Sequence, residues 1–313
     1  MIFEARNIQD LFILNAGFIQ YRKAALLIVL FTASFLVANC RKETLSDSAE
    51  IPRREIVDDL NRRVFIPENV TRAVSLAPNL TEIVFAIGAG DKLVGRTSFD
   101  NFPPEAEKIQ TVGDTINPNI ENIIALKPQV VLVSTASQIE TFTKTLESQG
   151  IAVFVTNPNS LDGIYKSIKT IGQIFGAETN SEKLVESLRK RVARVEDGAK
   201  NNEKPKVFVQ IDKSLYTIGK ESFLTDLIAK AGGVSATKDV ETGYPKISKE
   251  FALALNPDVI ILSDSADNDE PNEVFKGSSA VRNGKVYKLN ADIMSRPGPR
   301  IVDALEQIAE KLK

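Results

Sequence analysis

Glu121 and Glu250 open two strings, residues 121–134 and 250–263, that match without a gap. Each string reads as a short helix, a proline that fixes its exit (Pro128 or Pro257), and a fully buried strand of four apolar residues. A carboxylate in the first turn of a helix can interact with the macrodipole and cap a free amide, an effect of about 0.3–1 kcal/mol. Repeated on two equivalent units, it can instead present one negative charge from each unit to a partner carrying arginines. Spacing alone leaves both readings open. Arg96 and Arg296 fall where strands open into loops, on the side where α/β sheets receive ligands. Each suits an anionic ligand or, equally, a salt bridge to Asp100 or Asp292.

Other chemistry is scarce. The chain has no histidine and one cysteine, which removes the usual zinc ligands and the Ser-His and Cys-His nucleophile pairs, so no catalytic or metal-ligating residue is expected. Lys220 and Ser222 sit between a strand and a helix, but no Gly-rich loop accompanies them, and Ser222 reads as a helix N-cap rather than part of an anion cradle. The acidic cluster at residues 264–270 lacks the glycine and terminal glutamate of a calcium loop and reads as a solvated acidic loop. With 39 basic and 41 acidic residues spread along the chain, there is no electrostatic footprint for nucleic acid.

The elements that must position these residues are legible in order. Arg22 and Lys23 precede fifteen apolar or small residues, 24–38, which fit a secretory signal and fall short of the roughly 18 of a spanning helix. Leu36-Val37-Ala38-Asn39-Cys40 resembles a lipobox, apart from Asn39 where a small residue is usual, and makes Cys40 the candidate for lipidation; the alternative is an ordinary signal with a cysteine nearby. Residues 1–20, with Glu4 and Asp10, make an unusually long leader, as expected if translation begins further along. Residues 1–40 are thus read as signal and residues 41–55, polar and highly charged, as a tether. From residue 72 short β-branched runs alternate with helical patterns, the signature of α/β layering. Strands are expected at 73–76, 93–94, 130–133 and 152–155, and helices at 80–87, 120–126, 139–148 and 161–175. A charged helix at 181–200 carries one apolar stripe of Leu184, Leu188, Val192 and Val195 and ends at the breaker before Pro205. A second series follows, with strands at 207–211, 215–218, 259–262 and 286–289 and helices at 223–231 and 301–312. The expectation is two Rossmann-like α/β lobes, 56–180 and 205–313, joined by one long helix, 181–204.

Several motifs, in order and at consistent spacing, carry a resemblance: Asp58-Asp59-Leu60-Asn61-Arg62-Arg63-Val64; the run from Arg72 to Gly95 that contains Leu76-Ala77-Pro78-Asn79-Leu80-Thr81-Glu82; Gly219-Lys220-Glu221-Ser222; Asn283-Gly284-Lys285-Val286-Tyr287; and Arg296-Pro297-Gly298-Pro299-Arg300. From about residue 56 to the C-terminus the chain resembles the periplasmic binding proteins of ABC importers for cobalamin and ferric siderophores. The resemblance implies lobes bridged by a rigid helix, little closure on binding, and no enzymatic activity. It implies a monomeric, membrane-anchored extracytoplasmic lipoprotein whose cargo is a corrinoid or ferric siderophore, with no cofactor of its own. It also implies that Glu121 and Glu250 are the surface glutamates that dock on the importer's membrane subunits. Phe99 and Tyr244 match positions where cobalamin binders place flanking aromatics, and each would stack on a flat ligand or pack on its neighbours. The absence of tryptophan sets the chain apart from many cobalamin binders. A carboxylate- or catecholate-bearing siderophore would suit Arg96 and Arg296, and a haem would need a tyrosine ligand. Two other classes stand beside this one: a receptor that hands its ligand to a signalling partner, and a metal-cluster enzyme on the same scaffold, which would need several cysteines.

Overall fold

The computed structural model describes residues 52–135, 139–200 and 203–313. The expected signal, Cys40 and most of the expected tether lie outside these residues. The last residues of that tether are a correction to the sequence reading: β1 (Arg53–Val57) pairs antiparallel with β2 (Arg63–Pro67) as a hairpin. Ile56, Val64 and Ile66 are buried while Glu55, Arg63 and Phe65 face out, so the hairpin obtains the apolar face that a charged tether lacks. Its turn is built on buried Asp58, whose carboxylate accepts from the Leu60 and Arg62 amides and from Arg62 Nε at 2.8–3.0 Å.

The N-terminal lobe continues with β3 (Ala73–Ser75), α1 (Pro78–Ala86), β4 (Leu93–Gly95), α2 (Ile120–Ala125), β5 (Val130–Ser134), α3 (Ile139–Ser148), β6 (Ala152–Thr156) and α4 (Leu161–Phe175). The C-terminal lobe contains β7 (Lys206–Gln210), α6 (Phe223–Lys230), β8 (Val234–Ser235), α7 (Lys249–Leu255), β9 (Val259–Asp264), α8 (Ser279–Arg282), β10 (Val286–Asn290), α9 (Ala291–Ser295) and α10 (Ile301–Lys311), and between the two runs α5 (Glu178–Ala199). Both sheets are four-stranded and wholly parallel, in the orders β4-β3-β5-β6 and β8-β7-β9-β10. Counted within each lobe, both orders are second, first, third, fourth. The repeated string therefore supplies the third strand of each sheet. In both copies the helix ends on a residue with positive φ immediately before the proline, Lys127 (48°) and Asn256 (38°), which turns the chain from helix into strand.

One expected strand is absent. Residues 215–218 form only an isolated bridge, Tyr216 to Lys246: Thr217 N donates to Pro245 O and Ile247 N to Leu215 O, but Pro245 has no amide with which to extend the ladder.

Alternation along the strands sorts the core. Val130, Leu132 and Phe154 face inward while Val131, Val133, Val153 and Val155 face the outer layer; in the second sheet Val207, Val209, Val259 and Ile261 face inward and Phe208, Ile260 and Leu262 outward. The inward sets of both sheets belong to a single apolar cluster that also takes in Ile164, Ile168 and Ile171 of α4, Val185, Leu188 and Val192 of α5, and Leu224 and Leu227 of α6. The lobes thus share one core, whereas each outer layer is private. The turn into α5 is tight. Gly176 adopts φ 66° and ends α4, and Gly172 lies so close to Ser181 that a Cβ there would come within 2.3 Å of the hydroxyl. At 22 residues α5 is about 33 Å long, and Arg191 fastens it to α10 through Asp303 (2.6 Å) and Glu306 (2.6 and 2.9 Å).

Candidate functional site

Parallel α/β sheets receive ligands beyond the carboxyl ends of their strands, at the point where strand order reverses. In both sheets that point lies between the first and third strands, and a cleft of about 470 Å³ opens at the carboxyl ends of the strands, with both lobes contributing. From the N-terminal lobe come Ser134 and Thr135 at the end of β5 and Asn157, Pro158 and Asn159 beyond β6. From the C-terminal lobe come Ile211 after β7, Ser263 near the end of β9, Phe223 and Leu224 at the start of α6, the Gly243–Tyr244 loop, and Met294, Ser295 and Pro297 after β10. Ser134 and Ser263 close the two matching strings, so each string that begins on one of the glutamates ends in the cleft.

Tyr244 is the expected aromatic that the structure places in the cleft. Its loop is laid against residues 217–220: the Gly219 amide donates to Gly243 O (2.9 Å), and a Cβ on Gly219 would meet Thr242 O at 1.9 Å. That close approach is what a glycine in the Gly219-Lys220-Glu221-Ser222 motif permits. Half of Tyr244 is exposed, but burial of its hydroxyl raises the phenol above its ordinary value, opposed by a hydrogen bond with Ser222. Ser222 also caps α6, accepting from the Leu224 amide (3.3 Å).

Phe99 and both arginines are placed elsewhere. Phe99 is exposed and does not line the cleft. Arg96 donates to Thr97 O (2.7 Å) and Glu107 O (3.0 Å), its Nε is buried without a partner, and it makes no salt bridge to Asp100. Arg296 is nearly buried, and its guanidinium meets Glu82 (3.0 Å), Asp292 (2.8 Å), Asn101 Oδ1 (2.7 Å) and Phe99 O (3.2 Å). It forms a strut between the lobes, and the pairing with Asp292 foreseen as the alternative is part of it. Arg300 completes the strut, gripping Glu82 through Nε (2.9 Å) and Nη2 (2.6 Å), with the Phe102 ring 4.1 Å from the guanidinium. Asn79 Nδ2 reaches Pro297 O (3.4 Å) in the same seam, and at the other side of the cleft Asp226 of α6 accepts from the first amide of α4 (3.0 Å).

Capping in the two repeated helices is done by the residues in front of the glutamates. Asn119 accepts from the Asn122 amide (2.9 Å) and Ser248 from the Phe251 amide (3.1 Å). Glu121 and Glu250 stay exposed and make no salt bridge among the described residues. The backbone amide of Glu250 and the Ser248 hydroxyl hold the Glu250 carboxyl below the ordinary value. Large apolar side chains are exposed close by in the chain: Ile116 before α2, and Phe251 and Leu253 on α7, are 44–63% exposed.

Three groups escaped the sequence reading. Glu82 lies 214 residues from Arg296, and only its place in an apolar helix pattern marks it as unusual. Glu221 stands one residue ahead of a correctly read N-cap and lines the cleft. Asn268, inside the acidic loop at 264–270, is fully buried rather than solvated and ties that loop to Gln210 of β7.

Residues 74–293 match the family model described as periplasmic binding protein. The chain is 33% identical over 307 residues, 93% of its own length and 97% of the other's, to an uncharacterized ABC transporter substrate-binding lipoprotein, YvrC, of Bacillus subtilis. Among solved structures it resembles the periplasmic vitamin B12 binding protein BtuF of Vibrio cholerae, with 30% identity, a TM-score of 0.71, and coverage of 79% of this chain and 98% of that one. It also resembles a possible iron-binding periplasmic solute-binding protein of Staphylococcus epidermidis, with 27% identity, a TM-score of 0.69, and coverage of 78% and 98%. A shared core and a cleft at the strand ends of two lobes are what such relatives would lead one to find, and the chain is a member of the periplasmic binding protein family, a binding protein rather than an enzyme.

Proposed function

We propose that this protein is the substrate-binding component of an ABC importer, held on the extracytoplasmic side of a membrane by a lipid on Cys40 and working as a monomer. Its cargo is a chelated-metal compound, a corrinoid or a ferric siderophore, taken into the cleft between the lobes. Glu121 and Glu250 then dock the loaded protein on the two membrane subunits, one charge from each lobe. The observation that carries this reading is the pairing within each string of an exposed first-turn glutamate with a cleft serine. A helix that returns the chain to the next parallel strand runs against the strands, so both glutamates sit toward the edge where the cleft opens. A partner bound there would receive the cargo directly. The names of the relatives support the same class: a substrate-binding lipoprotein, a vitamin B12 binder and a possible iron binder. The cleft suits recognition without large closure, because the lobes share one core and are tied by Glu82 to Arg296 and Arg300.

The test is a calorimetric and absorbance titration with cobalamin, cobinamide, haem and a set of ferric siderophores. Submicromolar binding of one class is the expected result. Failure of every member would remove the chelate reading.

A further inference from the structure

The charge of the cleft narrows the cargo further. Among the described residues lining it, Glu221 is the one acidic side chain, and none is a lysine or an arginine. Glu221 is exposed and makes no hydrogen bond or salt bridge among the described residues. The nearby cations are spent elsewhere: Lys220 on Glu241 (3.0 Å), Lys213 on Asp269 (2.7 Å), and Arg296, although it stands between two lining residues, on Glu82 and Asp292. Of the amides at the start of α6, that of Leu224 donates to the Ser222 hydroxyl (3.3 Å) and that of Thr225 to Ser222 O (3.0 Å).

We infer that Glu221 is a specificity-determining residue, and that it selects uncharged or cationic chelates rich in N–H donors against anionic ones. The inference rests on the chelate-import reading above. A carboxylate, propionate or catecholate entering this cleft gives up its hydration and meets a like charge with no cation to offset either cost. An amide or ammonium group entering it gains a charged acceptor. A corrin ring carrying amide arms satisfies this rule, as does a cationic hydroxamate chelate. A trisanionic catecholate chelate and a dipropionate haem do not.

Two matched pairs of probes test it on the full chain: cyanocobalamin with its monocarboxylate, in which one amide becomes a carboxylate, and ferrioxamine B with its N-succinyl derivative. Ferric tris-catecholate and haemin complete the set. For whichever pair binds, the anionic member is expected to be weaker by about tenfold or more, the value of one charge-assisted contact. Glu221→Gln should shrink that ratio and Glu221→Lys should invert it, each variant melting as the parent does because the side chain is exposed. Tighter binding of haemin or the catecholate by the parent would overturn the charge rule and leave chelate import standing. An unchanged ratio in both variants would show that Glu221 does not set it. No binding by any probe would overturn the import reading and this rule together.

Discussion

The two lobes share a strand order, a matching helix–strand string and a capped first turn, yet they build unlike walls. The N-terminal lobe lines the cleft with Ser134, Thr135, Asn157 and Asn159, small and polar; the C-terminal lobe lines it with Ile211, Phe223, Tyr244 and Met294 and the single charge of Glu221. On the outer surface the likeness returns, with Glu121 and Glu250 at equivalent exposed positions. A duplicated scaffold that presents two equivalent charges suits a partner with two equivalent halves, whereas one ligand with two different sides needs two different walls. The repeat is thus kept where the proposed partner is symmetric and abandoned where the cargo is not.

The most drastic way to break this comparison is to reverse both outer charges. Glu121→Arg with Glu250→Arg is expected to lower uptake by about 100-fold or more, since each change places like charges together at the dock, while ligand affinity in titrations stays at the parental value. Loss of affinity in step with uptake would show that the glutamates do not act at a separate surface. The single reversals sharpen the point: exposed Phe251 and Leu253 share α7 with Glu250 and offer the partner apolar contact, so the C-terminal change should cost more than the N-terminal one.

Next in size is the seam that holds the unlike walls in register. Glu82→Ala leaves two arginines facing each other without their carboxylate in a nearly buried site, and a loss of about 3–5 kcal/mol in urea unfolding is expected. A loss below about 1 kcal/mol, the value of an exposed pair, would mean that the strut contributes little.

Within the cleft the two walls should respond unequally. Tyr244→Ala, on the apolar side, is expected to weaken binding by about tenfold or more, as truncation of a central aromatic does. Asn159→Ala, on the polar side, should cost less than about fivefold, the net worth of one neutral hydrogen bond. Equal losses would place the ligand centrally rather than against the C-terminal wall.

How much of this could be read from sequence depended on whether the cause was local. Helices α3 and α4 begin and end where the pattern set them, and for α4 the cause is local: Ser160 accepts from the Gly163 amide and Gly176 supplies the left-handed stop. The repeated strings were visible because a proline and a four-residue apolar run are local signals. The β1–β2 hairpin was not, since Ile56 alone hints at a buried face among charged neighbours and its partner strand decides the rest. The pairing of the arginines was not legible for the opposite reason: position after a strand is local, but Glu82 is distant in sequence from Arg296, and Glu107, whose carbonyl Arg96 reaches, lies on a separate helical turn. Charge in the cleft was legible only once the lobes were assembled.

The smallest expected effect separates the lobes by pH. Beyond the strands of the N-terminal lobe one buried polar group is a carboxylate, Asp100, which accepts from the Thr81 and Thr97 hydroxyls; in the C-terminal lobe a buried pair of amides, Gln210 and Asn268, is joined at 2.6 Å. Burial raises the Asp100 carboxyl above its ordinary 3.8, against the opposing effect of the two threonines. The folded chain therefore holds this proton to higher pH than the unfolded chain. Its contribution to stability is fully present below the unfolded value and is lost as pH rises through the raised folded one. The amide pair has nothing to titrate. Unfolding midpoints of the parent relative to Asp100→Asn should thus decline from acid toward neutral pH, and relative to Asn268→Ala should run parallel. A parent that instead gains on Asp100→Asn as pH rises would mean that the threonine hydroxyls outweigh burial and that Asp100 is stabilised as the anion.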